Sequence, residues 1–433
     1  MRKFDLLTPA DAMRALNAAL DAARRTLPIE TIPTLQAHNR VIARDVTSPA
    51  PMPEFRRSTV DGYAVKAGST PGVLRVVGEV RMGELAALTL GAGQAALVHT
   101  GGNLPEGADA VVMLEETQPI TADESRVTSH ESKTALSTQV RNWKIQTQTK
   151  LAAGENVIQK GEDVKAGEVV VYTGTLLREQ EIGGLLALGI TQIEVVRQPR
   201  VALIASGDEL VPADAPTRPG QVRNINAAML SALVQRNGGV PLDFGILPDV
   251  RLMFEKAAER AMQEVDVVIF MAGSSVGERD FVPDVVNAMG KPGILAHGIL
   301  FRPGKPTLFA VCEGKPVFGL PGNPISALVT GTLFAAPTLW HVQGALNPPQ
   351  PNIVRAVLSD DVTSPRSLEH WLPVALNSPP LGGGAGGGGS IATPISTKSN
   401  LIFGLVRASG LVCAPIGVDK VAAGTEVDVR LFE

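Results

Sequence analysis

Two short segments of this chain set rigid turns beside apolar runs. FRPGKPTLFA (301–310) carries Pro303-Gly304-Lys305-Pro306, and VFGLPGNPIS (317–326) carries Pro321-Gly322-Asn323-Pro324. Proline fixes φ and removes a backbone donor, so such turns hold their shape with few N–H groups left to satisfy. Lys305 adds a compact positive charge suited to phosphate or another oxyanion. Gly273-Ser274-Ser275-Val276-Gly277-Glu278-Arg279-Asp280 follows the apolar run VDVVIFMA and precedes a helical pattern. Glycine and serine at a helix start expose N–H groups where the helix dipole favours anions, and Gly322-Asn323 is placed the same way. Ser206-Gly207-Asp208-Glu209 follows VALIA, and Pro248-Asp249 follows FGIL. Carboxylates there would repel an anion unless a hard cation such as Mg²⁺ lay between them. Glu209, Asp249 and Asp280 are the candidate oxygen ligands.

Taken singly, each of these is an ordinary turn or N-cap residue, and Asp249 alone reads as an N-cap. Five polar strand ends in a row, two of them locked by proline, are more than turn chemistry requires. The elements that must position them are legible between 200 and 345. RVALIAS, VPLDFGIL and VDVVIFMAG read as strands, and NAAMLSALVQRNGG, DVRLMFEKAAERAMQE and DFVPDVVNAMG as helices. The two proline-stopped strands follow, and then NPISALVTGTLFAAPTLW. This alternation predicts a mostly parallel sheet with helices on both faces. Ligands of such sheets bind beyond the carboxyl ends of the strands, where the polar residues gather.

Composition bounds the partners. At 433 residues, a prior of roughly 150 residues per domain gives about three domains. With 44 glycines and 32 prolines, β-rich portions with many tight turns are expected beside the α/β core. Aromatic residues make up 4% and the net charge is −4, which argues against nucleic acid. Two cysteines, Cys312 and Cys413, cannot build a disulfide framework and fit a cytoplasmic location. Scattered histidines exclude a transition-metal motif, and no GxxxxGK[ST] occurs.

No stretch approaches the ~20 apolar residues of a membrane span. Charged residues interrupt the N-terminal segment, which predicts an amphipathic helix capped by Thr8 with Pro9 at its first position, not a signal peptide. Residues 50–118 and 151–197 read as short strands, 119–150 as a polar, irregular excursion, and 346–433 as strands again. LGGGAGGGGS (381–390) is a loop between strands; its GxGxxG has no following helix.

Seven motifs come in the order of one known family: STVDGYAV (58–65), TGGNLPEGADAVVMLEE (100–116), GED (161–163), SGDEL (206–210), GSSVGERDF (273–281), RPGKP (302–306) and GLPGNPISA (319–327). Over essentially its full length the chain resembles the molybdopterin molybdenumtransferases, related to the C-terminal domain of gephyrin. The resemblance implies a multidomain α/β plus β fold. It comprises a linker domain of 1–47 and 155–198, an inserted β-rich domain of 48–154, a three-layer α/β molybdopterin-binding domain of 199–345, and a C-terminal β-barrel of 346–433. It implies molybdenum insertion from molybdate into adenylylated molybdopterin with release of AMP, assisted by Mg²⁺, in a cytoplasmic homodimer whose site is shared between subunits. Implied partners are the adenylyltransferase of the preceding step and factors that mature molybdoenzymes.

Matched to the family's motifs, Asp61, Thr100, Asp163, Lys305 and Asp280 are implied as catalytic residues. Ser206, Glu209, Gly273, Ser274, Ser275, Arg302, Pro321, Asn323, Pro324 and Ser399 are implied to bind substrate, Ser399 from a loosely aligned region. Glu209, Asp249 and Asp280 are implied metal ligands. The chain departs from the family where Ala272-Gly273-Ser274 stands for Gly-Gly-Val, where Gly298 and Arg302 stand for lysines, and where VIQK precedes GED. These changes thin the positive charge. Two other readings compete: the preceding adenylylation of molybdopterin, which uses the same α/β module, and a pterin-binding or scaffold paralogue without catalysis. Residues 1–197 and 346–433 argue against the first; retained Asp61, Asp280 and Lys305 argue against the second.

Overall fold

The structure, a computed structural model, describes residues 6–120, 143–271, 281–377, 390–395 and 398–432. Its contacts divide the chain into two compact units. One comprises Met1–Arg44, Thr173–Ile182 and Thr191–Glu433; the other comprises Asp45–Tyr172 and Gly183–Ile190.

The first unit is built on a six-stranded sheet. Its strand order is Val240–Leu247, Arg200–Ser206, Val267–Met271, Lys315–Leu320, Leu308–Cys312, Pro292–His297. The first four run parallel, as alternation with helices predicts, and Leu308–Cys312 runs antiparallel to both of its neighbours. That reversal corrects the expectation that a strand ends at Pro303. The Pro292–His297 strand stops earlier, and the Lys305 turn comes before Leu308–Cys312, not after a strand of the sheet. Because the two strands are antiparallel, the start of Leu308–Cys312 lies beside the end of Lys315–Leu320, with Leu308 opposite Gly319. Both proline turns therefore share one edge of the sheet.

Helices cover both faces. Pro9–Ala23, Ile225–Arg236 and the helical run from Pro324 to Val342 bury one face through Leu16, Leu230, Val329 and Leu339. Arg251–Glu264 and Val282–Ala288 bury the other through Phe254, Ala261 and Val285. Pro9–Ala23 begins as expected, with the Thr8 hydroxyl accepting the Asp11 N–H at 3.1 Å. Phe301, Phe309, Phe318 and Phe334 meet edge-on at centroid distances of 5.1–5.7 Å. Such pairs add to the energy of area burial, and this cluster anchors Phe301 immediately before the Lys305 turn. The Pro324–Val342 run is long and apolar enough to cross a membrane, but 72% of its most apolar window is buried inside the protein, as for a core helix.

In the C-terminal region five strands close a ring: Glu369–Asn377, Ser390–Pro394, Ile353–Leu358, Glu426–Leu431 and Gly410–Ala414, which returns to Glu369–Asn377. Closure removes exposed edges. Phe301–Arg302 pairs in parallel with Glu369–His370, so the strand formers ahead of Pro303 join the barrel's sheet and not the α/β sheet.

The second unit holds a mixed six-stranded sheet ordered Ala110–Met113, Gly62–Val65, Gln94–Val98, Gly72–Glu79, Lys144–Thr147, Thr117–Ile120. Residues 119–150 are thus not wholly irregular, since Thr117–Ile120 and Lys144–Thr147 pair antiparallel. Apolar side chains pack on both faces, with Leu74, Val76 and Ile145 on one and Val80, Leu90 and Val111 on the other.

Candidate functional site

Two cavities meet at the proline turns. One, of about 780 Å³, is lined by Arg302, Pro303, Lys305, Pro306, Pro321 and Asn323, and by His370, Lys398 and Ser399 of the C-terminal region. The other, of about 850 Å³, is lined by Ser206, Glu209, Asn226, Pro306, Pro321, Gly322, Asn323 and Pro324. Pro306, Pro321 and Asn323 are their common wall.

Backbone bonds fix the Lys305 turn while its side chain stays exposed. The Ile299 N–H donates to the Lys305 carbonyl at 2.9 Å, and both the Thr307 N–H (3.0 Å) and its hydroxyl (2.6 Å) donate to the Gly304 carbonyl. The second turn is tied from two sides. The buried Asn226 amide donates to the Gly322 carbonyl at 2.7 Å, and the Asn323 amide donates to the Ser399 hydroxyl at 3.1 Å. The Ile325 N–H donates to the Ser399 carbonyl at 3.1 Å. Pro324 has no N–H, so the helix start offers fewer free donors than its sequence implies, because Ser399 occupies one of them.

The first cavity has a cationic wall of Arg302, Lys305 and Lys398. Among its described lining residues the one acid, Asp361, pairs with Lys420 at 2.6 Å, and that bond holds its carboxyl below the usual range. His370 is buried beside Arg302, its partner in strand register. Burial first, and Arg302 second, push its pKa down to about 4, and among the described residues its buried Nδ1 has no hydrogen-bond partner.

The second cavity carries a carboxylate, Glu209, and a guanidinium, Arg223, among its described lining residues. Glu209 is exposed and folds back against Gly207, whose φ of 147° requires glycine. Ser206 is buried at the end of its strand. Among the described residues no three His, Cys, Asp or Glu side chains gather to hold a metal ion by themselves. Mg²⁺ typically takes one or two protein carboxylates plus substrate oxygens, so a lone Glu209 facing a cavity fits such an ion.

The remaining expected residues divide. Asp249 lines neither cavity, and the helix after it has Val250, not Asp249, at its N-cap; the Asp249 N–H faces the Asp208 carboxylate at 3.2 Å. Gly273, Ser274, Ser275 and Asp280 lie outside the described residues. Asp61 and Thr100 come together in the second unit, where the Thr100 N–H donates to Asp61 Oδ1 at 2.9 Å. Asp163 is exposed in the same unit, its N–H bonded to the Met52 carbonyl at 3.1 Å.

Sequence reasoning missed Asn226, His370 and Lys398. Asn226 reads as the polar residue that opens the helical segment NAAMLSALVQRNGG, and His370 as one position of a strand. Only the fold brings either to the turns.

The fold and these cavities define a multidomain α/β and β-barrel protein with a cationic cavity at the carboxyl edge of its sheet. Residues 7–189 match the MoeA N-terminal region (domain I and II), 202–341 a probable molybdopterin binding domain, and 355–432 the MoeA C-terminal region (domain IV). A molybdopterin molybdenumtransferase of Bacillus subtilis (strain 168) is 31% identical over 404 residues, covering 91% of this chain and 87% of that protein. Another, from Staphylococcus aureus (strain Mu50), is 28% identical over 418 residues, covering 94% and 92%. The crystal structure of a molybdopterin biosynthesis MoeA protein from Pyrococcus horikoshii OT3 matches with a TM-score of 0.78 at 29% identity, covering 99% of this chain and 100% of that one. The chain belongs to the molybdopterin molybdenumtransferase family.

Proposed function

We propose that this chain is a transferase of molybdenum-cofactor biosynthesis that inserts molybdenum from molybdate into adenylylated molybdopterin and releases AMP. The observation that carries the reading is the pair of cavities sharing Pro306, Pro321 and Asn323, cationic on one side and carboxylate-bearing on the other. An oxyanion suits Arg302, Lys305 and Lys398, whose charges attract it. The phosphates of the adenylylated pterin suit the second cavity, with Glu209 holding Mg²⁺ against them and Asp280 as its further proposed ligand, whereas Asp249 lines neither cavity. Bound there, Mg²⁺ would neutralise charge on the leaving phosphate. Ser206, Pro321, Asn323 and Pro324 shape the cavity around the ligand, with Gly273, Ser274 and Ser275 as proposed donors to it.

The family likeness supports a four-domain subunit acting as a homodimer, with Asp61 and Thr100 of one subunit serving the crevice of its partner and Asp163 as a further catalytic residue. It also supports a cytoplasmic location. Incubating the purified protein with adenylylated molybdopterin and Mg²⁺, with and without molybdate, tests the activity. Molybdate-dependent AMP release is expected. Conversion of unmodified molybdopterin and ATP would instead mark the adenylylating enzyme, and pterin binding without turnover a scaffold.

A further inference from the structure

Three neighbouring strands of the second unit end at one edge of its sheet. Gln94–Val98 lies between Gly62–Val65, which runs antiparallel to it, and Gly72–Glu79, which runs parallel. Gly62 stands opposite Val98, so Asp61, just before one strand, faces His99, just after the other. Glu79 stands opposite Leu97 on the far side. This register sets a carboxylate, an imidazole and a second carboxylate in a row across adjacent strands.

The side chains complete the row. His99 Nε2 lies 2.9 Å from Glu79 Oε1, and His99 Nδ1 lies 3.6 Å from Asp61 Oδ1. An ionised carboxylate can only accept, so Nε2 donates to Glu79. Asp61 Oδ1 is also the oxygen that accepts the Thr100 N–H at 2.9 Å. Among the described residues no hydrogen bond reaches Asp61 Oδ2. The turn after His99 is itself fixed, the Gly102 N–H donating to the His99 carbonyl at 2.8 Å and the Gly101 N–H to the Ser58 carbonyl at 2.8 Å. Glu79 is only 21% exposed in its side chain, against 57% for Asp61, so the row runs from a sheltered anchor to an open end.

We propose that Glu79 and His99 are positioning residues for Asp61. Glu79 fixes the ring, the ring edge and the Thr100 N–H confine Oδ1, and Oδ2 is left as the oxygen presented to the ligand. This rests on the reading of Asp61 as a substrate-facing residue. With Nε2–H given to Glu79, the neutral ring turns the Nδ1 lone pair toward Asp61 Oδ1, and two acceptors repel, so the ring bounds that oxygen by exclusion and not by a hydrogen bond. A displacement of an ångström or less in a reacting group is enough to slow turnover with little change in binding.

Two measurements test it. The first follows AMP release by wild type, His99→Ala, Asp61→Ala and the double variant. His99→Ala should lower kcat about tenfold with KM within about twofold, and His99→Gln, which keeps a donor, should recover part of the loss. In the Asp61→Ala background the His99 change should cost less than about twofold, because its effect passes through Asp61. An equal loss in both backgrounds, or a loss confined to KM, would overturn the proposal. The second measurement needs no ligand. The nitrogen NMR spectrum of His99 should show the neutral ring protonated at Nε2, and Glu79→Leu should abolish that preference. A ring protonated at Nδ1 in the wild type would overturn the clamp. Full activity in Asp61→Ala would instead remove the underlying role of Asp61, with the nitrogen spectrum still reporting whether the clamp exists.

Discussion

The Asn226 side chain donates to the Gly322 carbonyl at 2.7 Å, tying the first turn of the Ile225–Arg236 helix to the Pro-Gly-Asn-Pro turn that precedes another helix. Asn226 is buried and lines the second cavity, and among the described residues its Oδ1 has no hydrogen-bond partner. Asn226→Leu should strand the Gly322 carbonyl and cost about 1–3 kcal/mol of stability. Urea unfolding measures this, and a midpoint unchanged from wild type would show that the bond does not hold the turn.

Lys305 is exposed beside a backbone that is already satisfied, so its charge is free for a ligand. Lys305→Ala should leave the unfolding transition in place and weaken molybdate or phosphate binding by about tenfold or more, the value of a charge-assisted contact of roughly 1.5–3 kcal/mol. Equal affinity of the two proteins by calorimetry would refute that assignment.

His370 links pH to stability. Its folded pKa of about 4 lies below the unfolded value of 6.5, so the unfolded chain binds the proton more tightly. Stability from the neutral ring is whole above about pH 6.5 and is lost as pH falls toward about 4, by about 2–3 kcal/mol at most. Denaturant unfolding at pH 7 and pH 4.5 should show a smaller acid loss in His370→Leu than in wild type. Parallel losses would mean that other groups carry the acid sensitivity.

If Glu209 holds Mg²⁺ against ligand phosphates, AMP release should cease in chelator and return with added Mg²⁺. Glu209→Gln should raise the Mg²⁺ concentration needed for half-maximal rate by about tenfold or more, as loss of a charged ligand predicts. Undiminished turnover in chelator would exclude the role.

The shared-site reading makes a distinct prediction. Asp61→Ala and Lys305→Ala homodimers, each of lowered activity and mixed at subsaturating ligand, should regain activity on exchanging subunits, because one composite site of the mixed dimer carries both lesions and the other carries neither. No recovery after exchange is confirmed by mass would place both residues in one subunit's site.

The sequence made the α/β unit readable because its strands are apolar runs separated by helical periods. It hid the direction of Leu308–Cys312, since an apolar run reports burial and not polarity. The pairing of Thr117–Ile120 with Lys144–Thr147 was hidden for another reason: the polar segment between them masks two short strands. Lys305 and Pro321 were legible as candidates through their turn chemistry. His370 and Asn226 were not, because their importance lies in what the fold sets beside them. Glu79 and His99 escaped notice likewise, being ordinary strand-end residues until strand order makes them neighbours.

The antiparallel strand also makes the site a matter of arithmetic. Leu308–Cys312 and Lys315–Leu320 are joined by Glu313 and Gly314 alone, with φ of 50° and 74°, the two-residue hairpin turn that needs left-handed backbone at both positions. This hairpin acts as a ruler, whose zero mark sits at the end of the sheet away from the cavities. Adding one residue at Glu313-Gly314 would slide one strand past the other by about 3.3 Å and turn its side chains to the opposite face. Lys305 and Asn323 would fall out of step without either being touched. An insertion here keeps the register only where the turn takes it up as a longer loop, so the spacing of the two proline turns is recorded in a turn a full strand's length away.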